Sequence, residues 1–529
     1  MEGGEGIFLP KPVNQDCHAQ GNWRMRRLIL ASVLIILLMS LSRAAFNLER
    51  VQASGPIYIR ADGSIDPPDA LISTTDQTTY TLMGNINSDT DGIVVERGNI
   101  ILDGASCRLQ GPGKWLALGH GIEWSLIDNV TIKDITISDF KYPIFMSHSS
   151  YNTLIGNDIA NNYYGIQISL SDYTDISGNH FYNNLREAIN LGSTSYANIS
   201  GNHIEYHTGI KLEWSHYFSI SGNNITSRDG RSEGGIWLSQ SWWGNISGNT
   251  FINTGLFVKG DNDILVENNT VNGKPLVYLV GVSNYTIEDA GQVVLVGCEY
   301  VRVEDLDLSR VTTGIELWET QNSNITGVLF RGNRYGIYVM MSDNIRISGN
   351  VIAHCRTGIY SMWSGNNSIS ENIIADNIWG IDLRSRDNVI FHNIFLRNDW
   401  ISDIGYSTWD DGYPSGGNYW NDYDGTDLFN GPYQNQSGSD GIGDTPYTFA
   451  LGMDRYPVIK PFAYWNYADL NHDLVVDILD VVMVAGAYDS IPSDPNWDPR
   501  CDLVEPFEAI DIFDVVNVAI AYGETFEDL

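Results

Sequence analysis

The chain has 529 residues and a formal net charge of −35 at pH 7. This acidic excess argues against nucleic acid as a partner, because a phosphate backbone is bound by a basic surface. Apolar residues make up 43% of the chain, which is enough to bury a core, and 52 glycines predict many tight turns. The five cysteines stand singly, so neither a disulfide framework nor a zinc site is expected.

The N-terminal segment carries an export signal. An uncharged, largely apolar stretch, Leu28–Leu41, follows three arginines at positions 24, 26 and 27. Its length is short for a membrane-spanning helix and typical of a signal-peptide core. We expect residues 1–53 to be a signal peptide or an uncleaved membrane anchor, with Met25 as an alternative start. The protein would then be extracellular or at the cell surface, and would contact the membrane only through this segment.

The middle of the chain is a repeat with a period near 22 residues. One register reads Ile-Ser-Gly-Asn or a close variant, and its asparagines are Asn157, Asn179, Asn202, Asn223, Asn249 and Asn269, then Asn350, Asn372 and Asn393. A second register reads Gly-Ile and places glycines at 314, 336, 358 and 380. A propeller blade would need about twice this length, and the ladder of leucines that marks a leucine-rich repeat is absent.

Each repeat contains short segments in which apolar and polar residues alternate, as in Ile132–Ile137. Alternation of this kind is the signature of a strand with one buried face. We therefore predict an all-β fold in which residues 95–400 form one continuous right-handed parallel β-helix, with three strands and three corners per rung. Residues 270–312 depart from the register, so an insertion or distorted rungs are expected there. The repeated asparagines are expected to bond from rung to rung inside the coil, which is a structural role.

Motifs at the two ends resemble NosD-type β-helix proteins. They are Ile57–Ser64, Gly92–Glu96 and Asn99–Gly104 near the start, and Gly417–Tyr423 and Asp440–Tyr447 near the end. The resemblance implies a cap over residues 54–94 and a terminal element over 401–462. The family name also implies copper, which is held by clustered Cys, Met or His. Here the histidines are scattered along the sequence, and Met340, Met341 and Met362 come nearest to a cluster.

Residues 463–529 contain a calcium-loop pattern. Oxygen ligands occupy loop positions 1, 3, 5, 9 and 12, with a backbone carbonyl at position 7, which suits calcium; they are Asp469, Asn471, Asp473, Asp477 and Asp480, with the carbonyl of Val475. A second copy of the loop and helix keeps only Asp502, Asp511 and Asp514 in comparable places. The pair resembles a type I dockerin, an EF-hand-like module, which implies a cohesin-like partner. The alternative is a two-helix cap with solvated carboxylates.

Outward-facing residues beside each Gly-Ile would stack in columns on one face of the coil. Polysaccharide lyases and glycoside hydrolases on this fold use carboxylates with Lys or Arg, and hydrolysis needs two carboxylates about 5–10 Å apart. The catalytic candidates are Glu187, Lys211, Glu213 and Asp229, and the candidate sugar platforms are Trp214, Trp237, Trp242 and Trp243. Three hypotheses remain open: a polysaccharide-binding or polysaccharide-processing surface protein, a non-catalytic structural surface protein, and a copper-handling protein.

Overall fold

The computed structural model describes residues 51–53, 55–115, 119–205, 208–259 and 263–460, and parts of the tail: 470, 476, 478–491, 494, 496–498, 501, 503, 509–510 and 512–520. Short strands stack in parallel through most of this range, and the described helices both lie in the tail. The prediction of an all-β parallel solenoid is confirmed. The predicted export segment at residues 1–50 lies outside the described residues. None of the described helices has the length and apolar character needed to cross a membrane.

The first coil is built from three sheets, each contributing one strand to every rung. Sheet 1 contains Ile57–Ile59, Ile93–Val95, His120–Ser125, Tyr142–Ser147, Ile166–Ser169, Ile189–Gly192, Ile210–Glu213, Ile236–Ser239 and Leu256–Lys259, with Ile65–Asp66 antiparallel at its edge. Sheet 2 contains Ile72–Ser73, Thr79–Leu82, Ile100–Asp103, Val130–Lys133, Thr153–Ile155, Asp175–Ser177, Asn198–Ser200, Ser219–Ser221, Asn245–Ser247 and Leu265–Glu267. Sheet 3 contains Val51–Ala53, Ile86–Ser88, Arg108–Gln110, Thr136–Ser138, Asp158–Ala160, His180–Tyr182, His203–Glu205, Asn224–Thr226, Thr250–Ile252 and Thr270–Val271.

The second coil repeats this plan. Sheet 4 contains Lys274–Val280, Gln292–Val296, Thr313–Trp318, Tyr335–Met340, Thr357–Met362, Trp379–Arg384 and Trp400–Asp403. Sheet 5 contains Thr286–Ile287, Arg302–Glu304, Asn324–Thr326, Arg346–Ser348, Ser368–Ser370 and Val389–Phe391. Sheet 6 contains Leu329–Arg331, Val351–Ala353, Ile373–Ala375, Ile394–Leu396 and Tyr419–Trp420. Two small antiparallel pairs follow, Phe429–Asn430 with Gln436–Ser437 and Tyr447–Phe449 with Gly452–Asp454.

Buried asparagines form ladders inside both coils, as the repeat predicts. Asn202 is 1% exposed, and its Oδ1 accepts from the backbone N–H and the Nδ2 of Asn179 at 2.9 and 3.0 Å. Its own Nδ2 donates to the Ile176 carbonyl and to Asn223 Oδ1 at 2.8 and 2.9 Å. Buried polar groups are almost always hydrogen-bonded. Each asparagine amide provides partners for buried polar groups of the neighbouring rungs and is itself satisfied by them. The structural role of these asparagines is confirmed.

One antiparallel hairpin interrupts the stack, so the expectation of a continuous coil from 95 to 400 needs correction. Thr270 and Val271, in the last strand of sheet 3, pair antiparallel with Pro275 and Lys274. The strand Lys274–Val280 then has a core on each side. Leu276 and Tyr278 pack against the first core, whereas its neighbours Val277 and Leu279 pack against the second. The chain thus starts a second coil with its own core.

The second coil covers the free edge of sheet 1. Gln292 Oε1 accepts from the Leu256 N–H at 2.9 Å, and its Nε2 donates to the Leu256 carbonyl at 2.6 Å. Glu316 is fully buried, and its Oε1 accepts from the Val258 N–H at 3.2 Å and from Trp318 Nε1 at 2.6 Å. An exposed edge of unpaired backbone groups invites association with other strands. Here the side chains of Gln292 and Glu316 bond to backbone groups of that edge.

The expected end segments also stack on the coils. Within residues 54–94, Ile57–Ile59 pairs in parallel with Ile93–Val95, and Thr79–Leu82 pairs in parallel with Ile100–Asp103. Tyr419–Trp420 continues sheet 6 beyond residue 400. Solenoid packing therefore extends outside the boundaries 95 and 400. The described part of the tail contains the helices Ile478–Ala487 and Ile512–Ile520, and a small core of its own that includes Val484, Ile510 and Val518.

Candidate functional site

The outward face of sheet 1 carries the polar columns that the repeat predicts. Gln167 pairs with Asn190, and Asn190 with Lys211, in successive rungs. Asn190 Nδ2 donates to Gln167 Oε1 at 2.9 Å. Lys211 Nζ and Glu213 Oε1 form an ion pair at 3.0 Å, and the Glu213 side chain is 43% exposed. These residues therefore offer amides, a cation and a carboxylate to solvent.

The other two candidate catalytic carboxylates lie in loops. Glu187 precedes the strand Ile189–Gly192, close enough to Tyr164 to contribute, after burial, to the raised pKa of that phenol. Asp229 is exposed, and its carboxylate accepts from the backbone N–H of Arg231 within the same loop. No hydrogen bond or ion pair between described residues joins Glu187, Glu213 and Asp229 to one another.

An exposed row of aromatic rings borders this face. The row, named here the corner ridge, has one ring in each of five successive rungs, with centroids 4.6 to 5.0 Å apart; it consists of Tyr151, Tyr173, Tyr196, Tyr217 and Trp243. Every ring is between 45% and 59% exposed, and every residue has positive φ. These residues occupy the left-handed corner between sheets 1 and 2, which directs their side chains outward.

The candidate tryptophans divide between two places. Trp214, at 57% exposed, and Trp242 lie at the same corner as Trp243, with the first two rings edge to face at 6.5 Å. Trp242 also stacks on His216 at 4.8 Å. Trp237 instead stacks on Phe257 at 4.1 Å, in the cluster between the two coils. Trp243 thus belongs to the corner ridge, Trp214 and Trp242 lie beside it, and Trp237 lies elsewhere.

The matching columns of sheet 4 stack in the predicted register but lie partly against the first coil. Glu316 pairs with Tyr338, and Tyr338 with Tyr360. Glu316 and Tyr338 are 0% and 5% exposed because they face the edge of sheet 1. The repeat predicts which side chains point outward from their own coil, but it does not predict what those side chains contact.

The copper hypothesis depends on soft or imidazole ligands. Met340 and Met362 pair in adjacent rungs and pack with Trp318 and Tyr338, whereas Met341 lies 39% exposed at a corner. Among the described cysteines, Cys298, Cys355 and Cys501 are buried. These groups do not converge on one place, so within the described chain they do not fit a thiolate or thioether site for Cu⁺.

Two histidines that are distant in the sequence lie next to each other on sheet 3. His180 and His203 pair in adjacent rungs, and one ligand atom from each lies within 4.8 Å of the other and of a Glu205 carboxylate oxygen. Imidazole and carboxylate are donors that suit Cu²⁺ or Zn²⁺. A signal was present in the sequence, because each histidine directly follows a ladder asparagine, Asn179 or Asn202.

Most candidate calcium ligands of the tail lie outside the described residues, namely Asp469, Asn471, Asp473, Val475, Asp477, Asp502 and Asp511. Asp480 and Asp514 are described, and both are buried. The Asp480 carboxylate accepts from the Leu470 N–H at 2.6 Å, and that of Asp514 accepts from the Leu503 N–H at 2.6 Å. The two halves of the tail therefore share one local arrangement at the start of each helix.

Solved structures resemble this chain in part. A double mutant of the periplasmic alginate epimerase AlgG is 14% identical, with a TM-score of 0.27, over 66% of this chain and 84% of that one. The A-module of the Azotobacter vinelandii mannuronan C-5 epimerase AlgE6 is 11% identical, with a TM-score of 0.21, over 69% and 91%. A tailspike protein of an E. coli bacteriophage, solved with a pentasaccharide, is 10% identical, with a TM-score of 0.24, over 68% and 72%. Similarity at this level carries no information about activity.

No curated protein matches the chain. A family model does, and its description reads "Periplasmic copper-binding protein (NosD)". It matches three overlapping segments, residues 72–189, 120–274 and 254–425, which together cover more than half of the chain and most of both coils. The end motifs, the asparagine ladders and this match agree: the chain belongs to the NosD family.

Proposed function

We propose that this protein is exported to the cell surface and binds a polysaccharide along sheet 1 of the first coil. The observation that carries the proposal is the corner ridge beside the polar columns of that sheet. Sugars present hydroxyl groups that bond to amides and carboxylates, and apolar C–H edges that pack on aromatic rings. The two kinds of partner lie side by side over the same rungs.

The dimensions favour a long ligand over a small one. Rungs stack about 4.8 Å apart, so the five rings of the corner ridge span roughly 19 Å. Gln167, Asn190 and Lys211 follow the same direction on the adjoining face. A binding surface that repeats at each rung suits a ligand that also repeats.

The charge of the chain favours a neutral polysaccharide over an acidic one. The formal net charge is −35, and Lys211, within the polar columns, is already paired with Glu213. A polyanion would be repelled over long range at low ionic strength. We therefore expect neutral glycans to bind and uronic-acid polymers to bind weakly.

Binding without cleavage is favoured over hydrolysis or lyase chemistry. Hydrolysis needs two carboxylates placed across the scissile bond, and the described contacts pair Glu213 with Lys211 alone. Glu187 and Asp229 remain candidates for the second carboxylate, because a ligand can move loop residues. If the face does turn over a glycan, Glu213→Gln should abolish product formation and leave the far-UV circular dichroism spectrum unchanged.

Trp243→Ala is expected to weaken glycan binding about tenfold, or about 1.4 kcal/mol, because an exposed ring that packs on the sugar is lost. Lys211→Ala should weaken it to a similar degree by removing a hydrogen-bond donor. A glycan array identifies the ligand, and calorimetry on the purified protein then measures affinity for each variant.

Tyr300→Ala is the matched control. Tyr300 is 52% exposed and sits at a left-handed corner of the second coil, away from sheet 1. Its removal should leave affinity unchanged. If no glycan on the array binds, or if the three variants behave alike, the non-catalytic structural role replaces this proposal.

We further propose that residues 463–529 bind calcium through the first loop and dock on a cohesin-like partner. One line of support is the spacing of the loop ligands Asp469, Asn471, Asp473, Asp477 and Asp480. The other is a buried carboxylate in the first turn of each helix, Asp480 or Asp514. Calcium takes six to eight oxygen ligands, which one such loop can supply. Docking would attach the glycan-binding coil to a larger assembly.

Asp480→Ala is expected to abolish calcium binding, because it removes the last ligand of the loop. Asp514→Ala is the matched control. It removes the equivalent hydrogen bond to the Leu503 N–H, but in a loop whose sequence lacks two of the ligands found in the first loop. Calorimetry with calcium should show heat for the Asp514 variant and none for the Asp480 variant. Equal losses in both variants would mean that the second loop also binds, and no heat in the unmodified protein would leave a helical cap.

A further inference from the structure

We propose that His180, His203 and Glu205 form a binding site for one divalent transition-metal ion on the outward face of sheet 3. One ligand atom from each of these side chains lies within 4.8 Å of the others. His203 Nε2 is 2.6 Å from Glu205 Oε1, and the two imidazole rings stack with their centroids 5.4 Å apart. The site is separate from sheet 1.

The backbone places these side chains with little freedom. His180 pairs with His203 across adjacent parallel strands, and Tyr182 pairs with Glu205 beside them. The residues between, Phe181 and Ile204, are buried in the first core and hold both strands in register. Sites on strands are more precise than sites on loops, so the two rungs act as a fixed frame for the three ligands.

The distances require only a small closure around an ion. Metal–nitrogen and metal–oxygen bonds are about 2.0–2.2 Å long, so ligand atoms around one ion lie roughly 3–4 Å apart. The three side chains are partly exposed and can close by about 1 Å through changes in their rotamers. The ion would replace the hydrogen bond between His203 and Glu205.

The donor set selects the class of ion. Two imidazoles and one carboxylate, without sulfur, suit Cu²⁺, Ni²⁺ or Zn²⁺ better than Cu⁺, which prefers thiolate and thioether. They also suit calcium poorly, because calcium takes oxygen ligands alone. For such a set, affinity follows the general order in which Cu²⁺ binds more tightly than Zn²⁺.

Asp158 gives the site an orienting partner. It occupies the rung before His180 in the same column, and its Oδ1 lies 3.4 Å from His180 Nδ1. A carboxylate that accepts from one ring nitrogen of a histidine leaves the other nitrogen to bind the metal and fixes the ring orientation. Asp158 is thus a positioning residue, and its loss should weaken binding less than loss of a ligand.

The test is a titration of the purified protein with Cu²⁺, and separately with Zn²⁺, in excess calcium so that the tail loops are occupied. One Cu²⁺ should bind per chain at this site, and electron paramagnetic resonance should show coupling to two imidazole nitrogens. His180→Ala and His203→Ala should each weaken binding by more than about 100-fold, beyond the range expected for an outer partner, and remove one nitrogen coupling. Asp158→Asn should weaken it roughly 10- to 100-fold with both couplings kept.

His148→Ala is the matched control, because His148 is an exposed histidine at a corner of the same coil. It should leave both the affinity and the spectrum unchanged. Glu205→Gln provides a second test if either alanine variant fails to fold, as judged by its far-UV spectrum without metal. The proposal is overturned if no Cu²⁺ binds in the presence of excess calcium, or if the His148 variant loses as much affinity as the variants of the proposed ligands.

Discussion

Replacing Glu316 with glutamine is expected to stabilise the protein at pH 8 and to leave its stability at pH 5 nearly unchanged. Burial raises the pKa of the Glu316 carboxyl to about 8, and hydrogen bonds from Trp318 and Val258 offset only part of the effect. The ionisable groups next to it are the phenols of Tyr278 and Tyr338, whose pKa values burial also raises. Both phenols are neutral in this pH range.

The direction follows from proton linkage. Below about pH 4.5 the carboxyl is protonated in both the folded and the unfolded chain. Between that pH and about 8 the folded chain keeps a proton that the unfolded chain releases, so the free energy of unfolding falls by about 1.4 kcal/mol per pH unit. Above pH 8 the loss is complete. Glutamine remains neutral throughout and can still accept from Val258 and Trp318.

Denaturant unfolding at pH 5, 6, 7 and 8 measures this effect. The free energy of unfolding of the Glu316→Gln variant should exceed that of the native protein by roughly 3–4 kcal/mol at pH 8, as an upper bound. Glu319→Gln, at an exposed position three residues away, should follow the native protein. Burial also raises the pKa of Asp454, to about 6, but that carboxyl contributes equally to all three proteins. Parallel curves for native and Glu316→Gln would show that Glu316 is ionised when folded.

Asn202→Ala is expected to destabilise the first coil by about 3–5 kcal/mol. The substitution leaves the buried N–H of Asn179 without its acceptor and removes one partner from the Ile176 carbonyl and one from Asn179 Nδ2, which keeps the Leu154 carbonyl at 2.8 Å. Each unsatisfied buried group costs about 1–3 kcal/mol. Because a solenoid rung contacts mainly its neighbours, the loss should be local.

Hydrogen exchange followed by mass spectrometry tests both the magnitude of the destabilisation and the rungs in which it occurs. Exchange should rise in the rungs adjoining residue 202 and stay unchanged in the second coil. Asn198→Ala is the matched control, since this asparagine is in the same rung, faces outward and makes only long contacts, 3.3 Å to Asp175 and 3.4 Å to Ser200. Its effect should be below about 0.5 kcal/mol. Equal effects at 202 and 198 would mean that the ladder adds no stability.

The sequence alone was sufficient to predict the structure of one rung and how it stacks on the next. Parallel, in-register stacking repeats one local pattern, so the spacing of Asn157, Asn179 and Asn202 predicts both the strand order and the buried ladder. The same logic predicts the columns that contain Lys211 and Glu316. It would also have predicted the pairing of His180 with His203, since each occupies the position after a ladder asparagine, but linear distance made those histidines look scattered.

Only the tertiary structure decided how the two coils meet. No repeat element marks the antiparallel pairing of Val271 with Lys274, because it follows from a hairpin that occurs once. That hairpin brings Glu316 against the backbone of Val258, 58 residues earlier in the chain, and so turns an outward-facing carboxylate into a buried one. A periodic sequence specifies contacts between neighbouring rungs, which are local in the repeat. Contacts between separate coils depend on the path of the whole chain, and the period carries no information about that path.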